Sequence, residues 1–273
     1  MRWQGEATMS SLATILLTNF VVAFALFVAL WLVGLWRRDP SHVDAFWALG
    51  MVVLAWVTLA QVGDATPRRL LLVGLCSIWG VRLGGYLLWR VHKHGADRRY
   101  VKIMAKAQSD RGWGFAKATF ILVFALQAPL LWVVSLPVQL GQIDAAPLAI
   151  GTLGWIGAAL AVVGILFETI GDAQLVRFKA DPANNGQVMD KGLWRYTRHP
   201  NYFGDACTWW GLFLVAAETV PGMWSVAGPL LLTYLLTKWS GVPTVEGKLK
   251  RSRPGYADYV RRTSGFVPMP PKP

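Results

Sequence analysis

Three groups of residues have the types and spacing that chemistry needs. The densest is Lys191-Gly192-Leu193-Trp194-Arg195-Tyr196-Thr197-Arg198-His199-Pro200-Asn201-Tyr202-Phe203-Gly204-Asp205. Cations set among aromatic faces suit a polyanion that also carries rings, which describes a nucleotide. The alternative is an amphipathic loop drawn to anionic lipid. Asn201, His199 and Asp205 add nothing to that attraction, which favours a ligand. Pro200 fixes its own φ, favours an extended residue before it, and can open a helix with Asp205 in or near its first turns. The second group is Arg82, Tyr86 and Arg90, spaced by four and so on one helix face. A phenol there is a donor that could polarise a carbonyl. The third is Glu168 and Asp172, one helical turn apart, with Gln174, Arg177 and Lys179 following. Paired acids raise the question of a metal, but His42, His92, His94 and His199 do not accompany them in ligand spacing. The tail repeats the mixture with Glu246, Lys248, Lys250, Arg251, Arg253, Tyr256 and Tyr259. Such a tail hugs a membrane surface or closes over a site.

The elements that hold these groups must be membrane helices. Of 273 residues, 54% are hydrophobic and 15% charged, against about 25% charged in a soluble domain. A span needs about 20 mostly apolar residues. Such runs occupy residues 12–36, 43–62, 70–89, 115–140, 147–167, 203–217 and 223–239. The expectation is an all-α polytopic bundle of about seven transmembrane helices, forming one membrane domain. All but five of the 27 Lys and Arg (Arg2, Arg68, Arg69, Arg82 and Lys117) fall in every second connection. The positive-inside rule then puts the N-terminus outside and the C-terminus in the cytoplasm. The net charge of +12 therefore reads as loop asymmetry with an anionic ligand, not as nucleic-acid binding.

Arg82 sits inside a span, where a charge defaults to a functional hypothesis. Its structural alternative is an ion pair with Asp44 or Glu168. Asp44 opens the second span just before Trp47, where an acid serves equally as a helix cap or as a site residue. Cys76 and Cys207 read as packing residues. No strand–helix alternation exists to carry a dinucleotide fold, and no P-loop is present. The proline-rich end, 268–273, reads as extended.

The run from Gly192-Leu193-Trp194 through Arg198-His199-Pro200-Asn201-Tyr202-x-Gly204-Asp205 resembles the membrane-embedded steroid 5α-reductase and sterol reductase superfamily. Phe167-Glu168 to Asp172, Phe178-Lys179 and Arg253-Pro254-Gly255-Tyr256-Ala257-Asp258-Tyr259 fit the same pattern. The chain looks similar to the bacterial branch of steroid-5α-reductase-like proteins. The resemblance is specific over residues 165–268 and weaker over 40–100. It implies a seven-helix bundle in a bacterial inner membrane that binds NADPH from the cytoplasmic side. It also implies reduction of an electron-poor carbon–carbon double bond, typically that of a Δ4-3-keto steroid. The helices over 12–140 would then enclose the substrate, and 147–268 would bind the cofactor.

By the same resemblance, Asp172, Lys179, Trp194, Arg198, Asn201, Tyr202, Asp205, Tyr256 and Tyr259 would surround NADPH, together with Arg195, His199 and Glu246 of the same segments. Lys179 stands where the family has a base near the phosphates. Asp205 stands where steroid reductases often have glutamate. A tyrosine–glutamate pair holds the substrate oxygen in the steroid enzymes. Tyr86 is the tyrosine candidate here, and Asp44 is the acid available in a second span that has no glutamate. Trp47, Arg82 and Arg90 would face the substrate. The partners implied are an apolar steroid or lipid substrate and membrane lipids, with no nucleic acid and no obligate protein partner.

The Arg-His-Pro-x-Tyr element also occurs in isoprenylcysteine carboxyl methyltransferases, which bind S-adenosylmethionine. Those commonly carry adjacent glutamates in the tail, where this chain has a lone Glu246. Asn201 and Asp205 follow the reductase pattern. A lipid-binding or transport protein would show repeat symmetry and helices broken near the midplane, and neither is evident.

Overall fold

The computed structural model describes residues 2–95, 97–239 and 241–272, with backbone only for 2–11, 94 and 98. The regular structure of the described residues is helical, apart from one bridge between Thr197 and Ser264. α1 (Arg2–Arg37), α2 (Val43–Val62) and α3 (Pro67–His94) are followed by α4 (Arg98–Arg111). The next stretch comprises α5 (Phe115–Thr119), a π turn at Phe120–Phe124, α6 (Ala125–Val134) and α7 (Leu136–Leu140). Then come α8 (Thr152–Ala180), α9 (Pro200–Ala216), α10 (Val220–Met223) and α11 (Ala227–Tyr234). The chain ends with α12 (Val242–Ser252) and α13 (Tyr256–Arg262).

Among the described residues, six stretches are long and apolar enough to cross a membrane: Leu12–Arg37, Val43–Val62, Pro67–Lys93, Phe115–Val134, Thr152–Ala180 and Val220–Ser252. The protein is a multi-pass membrane bundle. The expected sixth run, 203–217, is α9, which has 17 residues. That length gives about 25 Å of helix, short of a core about 30 Å thick. The expected fourth run breaks at Ser135, with Pro137 in the first turn of α7. The last is assembled from α10, α11 and the π segment Leu235–Trp239. α4 was not expected, because it is too polar to span. Asp97 caps it by accepting from the Arg99 amide at 2.8 Å, and Gly112 closes it with φ 63°.

α8 shows how packing works in this solvent. Leu153, Ile156, Val163, Leu166 and Ile170 face outward, where lipid is as good a neighbour as protein. Gly157, Gly164 and Gly171 recur every seven residues on the opposite face and meet Gly211, Gly204 and Pro200 of α9. A Cβ on Gly164 would lie 2.5 Å from the Gly204 carbonyl oxygen. Small residues let membrane helices touch backbone to backbone, where dispersion rather than hydrophobicity drives association. The α2–α3 hairpin uses the same device: a Cβ on Gly80 would lie 2.9 Å from the Ala48 carbonyl oxygen.

Arg68 and Arg69, at the sparsely charged end, are buried. Arg68 donates to the carbonyls of Gly141, Asp144, Ala146 and Pro147, and Arg69 to those of Gln142 and Ile143. Both serve as staples for residues 141–147 rather than as free topology charges. Arg68→Met is expected to destabilise the bundle by about 1–3 kcal/mol, since the buried Gly141 carbonyl left without a donor costs about that much. Thermal unfolding in detergent checks this, and parental stability would mean that water replaces the guanidinium.

Candidate functional site

The second and third sequence groups meet. α3 carries Arg82 towards the inner face of α8. There Arg82 Nη2 lies 2.9 Å from Asp172 Oδ2, Nη1 lies 3.1 Å from Glu168 Oε1, and Nε donates to Thr169 Oγ1 at 2.9 Å. Of the two ion-pair partners considered for Arg82, Glu168 is used and Asp44 is not. Trp79, one turn before Arg82, donates its indole N–H to Glu168 Oε2 at 3.1 Å. α9 brings Asp205 within electrostatic reach of Glu168, Asp172 and Arg82. Glu168, Asp172 and Asp205 are all buried. The glycine seam makes this possible: a Cβ on Gly204 would lie 2.6 Å from the Glu168 amide nitrogen.

Towards the basic end the cluster opens into cations. Asn201 sits beside the Asp172 carboxylate, and Arg90 and Lys179 lie within its field. Lys179 shares that field with Lys248 and Arg253 of the tail. Tyr86 is half-buried, stacks on Trp89 with centroids 6.0 Å apart, and neighbours Arg82, Arg90 and Asp172. Arg82, Tyr86 and Arg90 thus share the helix face that their spacing implies.

The residues of the 191–205 segment divide between two tasks. Trp194 is buried and donates to the Gly171 carbonyl at 3.0 Å, and its own carbonyl accepts from the Tyr259 hydroxyl at 2.5 Å. Arg198 pairs with Glu246 at 2.8 Å and donates to the carbonyls of Val260 and Thr263. His199 Nε2 lies 3.1 Å from the same Glu246 oxygen. The Arg198 amide donates to the Ser264 carbonyl, the Thr197 hydroxyl to Phe266, and the Met269 amide to Tyr196. Glu246, Tyr256 and Tyr259 are buried under this clasp. Burial first, then the Glu246 carboxylate, push the Tyr256 phenol up to about 12, so it stays a donor. Trp194, Arg198, His199, Glu246 and Tyr259 therefore latch the tail down. Asn201, Tyr202 and Asp205 lie on the cluster side. Tyr202 joins the two groups: it stacks on His199 with centroids 5.3 Å apart and planes 4° from parallel, and it lies in the field of Arg90, Arg99, Asp44 and Asp205.

Asp44 has different company from Tyr86. It pairs with Arg99 and accepts from the Tyr100 hydroxyl at 2.6 Å, both on α4. Burial, then Asp44, push the Tyr100 phenol well above its usual value. Trp47 is half-buried against the bundle core. Arg195 is exposed and lines an open groove of about 660 Å³ with Asp190, Lys191, Arg262 and Lys272. Trp79, Arg99 and Tyr100 are not among the expected site residues. The spacing of Trp79 and Arg82 by three was the available signal for the first, and nothing local marked the other two.

No solved structure matches the chain. A Schizosaccharomyces pombe protein described as uncharacterized is 23% identical over 252 residues, covering 82% of this chain and 69% of that protein. A family model described as a protein of unknown function (DUF1295) matches residues 30–263. The chain, with its buried acidic cluster beneath a cationic end, belongs to the DUF1295 family.

Proposed function

We propose that the protein reduces the carbon–carbon double bond of an apolar enone, of the Δ4-3-keto steroid kind, with NADPH as reductant. The strongest support is the buried cluster of Arg82, Glu168, Asp172 and Asp205, with Asn201 beside it, lying under cations that outnumber their acidic neighbours. Lys179 feels Arg90, Lys248 and Arg253, with Asp172 as its one acidic neighbour in that group. Such mutual repulsion is relieved by a polyanion. Among the described residues, Asp205 Oδ1 and Trp209 Nε1 have no hydrogen-bond partner, which leaves them free to take a polar ligand. The residues present thus fit a phosphorylated dinucleotide, and the basic end faces the cytoplasm under the positive-inside rule.

In this reading Arg90, Lys179, Lys248 and Arg253 hold phosphate charge, and Asn201 and Asp172 orient the polar body of the cofactor. NADPH supplies the hydride for the β carbon of the enone. The Tyr86 hydroxyl donates to the substrate carbonyl oxygen, where negative charge grows as the β carbon is reduced. The bundle keeps water out and admits an apolar substrate from the lipid.

The test is purified protein in detergent with NADPH and a Δ4-3-keto steroid. Loss of NADPH and enone absorbance supports the reductase. Tight binding of S-adenosylmethionine with no binding of NADPH overturns it in favour of a methyltransferase. Asn201→Ala is expected to weaken NADPH binding at least about tenfold, or about 1.4 kcal/mol, with the melting temperature unchanged. Equal affinity removes Asn201 from the site. Tyr86→Phe keeps the stack on Trp89 and should lower kcat about 100-fold, the scale of one lost oxyanion donor. Full activity in this variant eliminates Tyr86 as the polarising group.

A further inference from the structure

The charges of the buried cluster do not balance. Glu168, Asp172 and Asp205 are 3%, 6% and 8% exposed, and all three act on one another. One guanidinium, that of Arg82, enters among them. Asp172 takes Arg82 Nη2 and has Arg90 and Lys179 on its outer side. Glu168 faces Arg82 Nη1, a nitrogen with no hydrogen-bond partner, so this contact is electrostatic only. Among the described residues, no cation stands within ion-pair distance of Asp205, and its Oδ1 has no hydrogen-bond partner. The Trp79 N–H donates to Glu168 and lies within reach of Asp205 as well. Trp79 and Trp209, both fully buried and packed edge to face with centroids 5.2 Å apart, wall the pair in. Two carboxyls therefore face a fraction of one guanidinium in an interior that water barely reaches. Ionising both is far costlier than leaving one proton in place. A pair that shares a proton titrates as a unit.

We propose that Glu168 and Asp205 hold one proton between them at neutral pH, and that this proton completes the reduction. The second clause rests on the reductase reading above. Hydride and its electron pair reach the β carbon from NADPH, leaving an enolate whose oxygen Tyr86 holds. The O–H bond of the carboxyl pair breaks, a C–H bond forms at the α carbon, and the ketone is restored. The pair, now doubly ionised, regains its proton from water at the basic end. The groups that act on the pair are Arg82 and Trp79 from α3, Asp172 from α8 and Tyr202 from α9, while Arg90, Lys179 and Asn201 act on Asp172.

Infrared spectra of the full chain in detergent, without cofactor, test the sharing. The parent should show a protonated-carboxyl C=O band that shifts in heavy water. Asp205→Asn should abolish it, since Glu168 then has Arg82 Nη1 to itself, and Glu168→Gln should shift it, since Asp205 then keeps the proton with no second carboxyl to share it. No such band in the parent overturns the proposal. A band left unshifted in Glu168→Gln assigns the proton to Asp205 alone and overturns the sharing. With NADPH and enone, Glu168→Gln should bind NADPH within threefold of the parent and turn over at least 100-fold more slowly. Undiminished turnover refutes the proton's role and leaves the reductase standing. A parent that binds no NADPH refutes the reductase and with it the proton's destination, while the band decides the sharing by itself.

Discussion

Gly204→Leu is expected to yield no stable bundle. A Cβ at this position would lie 2.6 Å from both the Glu168 amide nitrogen and the Gly164 carbonyl oxygen, and 2.8 Å from the Glu168 Cβ. Two of those atoms are helix backbone, which cannot swing aside as a flexible side chain would. α9 must instead move off α8, and the loss spreads along the seam to Gly157 and Gly211, whose approach is as close. Even Gly204→Ala should cost about 1–3 kcal/mol by overpacking, and leucine considerably more. The same displacement would carry Asn201 and Asp205 away from Asp172 and Glu168, so any surviving protein should also lose its site. Gly85→Ala is the control, because nothing lies within 4 Å of a Cβ there. Size-exclusion profiles and thermal unfolding of the detergent-purified variants read the outcome. A monodisperse Gly204→Leu protein with a parental melting temperature would show that the helices do not pack in backbone contact.

Arg82→Met should be nearly as damaging, for an electrostatic reason. Among the described residues, Arg82 is the one cation that pairs with both Glu168 and Asp172. Removing one partner of a buried ionic group typically costs about 3–5 kcal/mol, because the other charge stays behind uncompensated. Arg82→Lys should recover little, since a single ammonium cannot span two carboxylates as a guanidinium does. The decisive comparison is Arg82→Met with Glu168→Gln in one chain. Taking away charge on both sides should restore stability relative to Arg82→Met alone. Thermal unfolding of the three variants checks it: no loss in Arg82→Met, or no recovery in the double variant, would mean that the cluster is open to water and its charges are solvated.

Much of this protein was legible in the residues themselves. Hydropathy named the membrane class and placed each span to within a few residues over 43–62 and 70–89, because lipid acts on each segment separately and the signal is a local sum. The alternation of basic connections is local in the same sense. The i, i+4 spacing of Arg82, Tyr86 and Arg90 fixed a shared face, because a helix has one pitch. What those residues meet was another matter. Arg82 could have paired with Asp44 or with Glu168. The choice follows from the rotation of α3 against α8 and from the close approach of α9, both set by glycines that carry no chemistry. Asp44 went to Arg99 and Tyr100 because α4, unmarked by any apolar run, folds back over the start of α2. The cations and aromatics of the 191–205 segment read as one ligand-gripping set. The fold divides them, since Trp194, Arg198 and His199 meet a tail more than 40 residues downstream. Composition and spacing thus determined the solvent, most of the spans and the face that Arg82, Tyr86 and Arg90 share. Tertiary structure alone decided which charges neutralise one another and which carboxyl is left without a partner, because those depend on distances between helices that no local run of residues encodes.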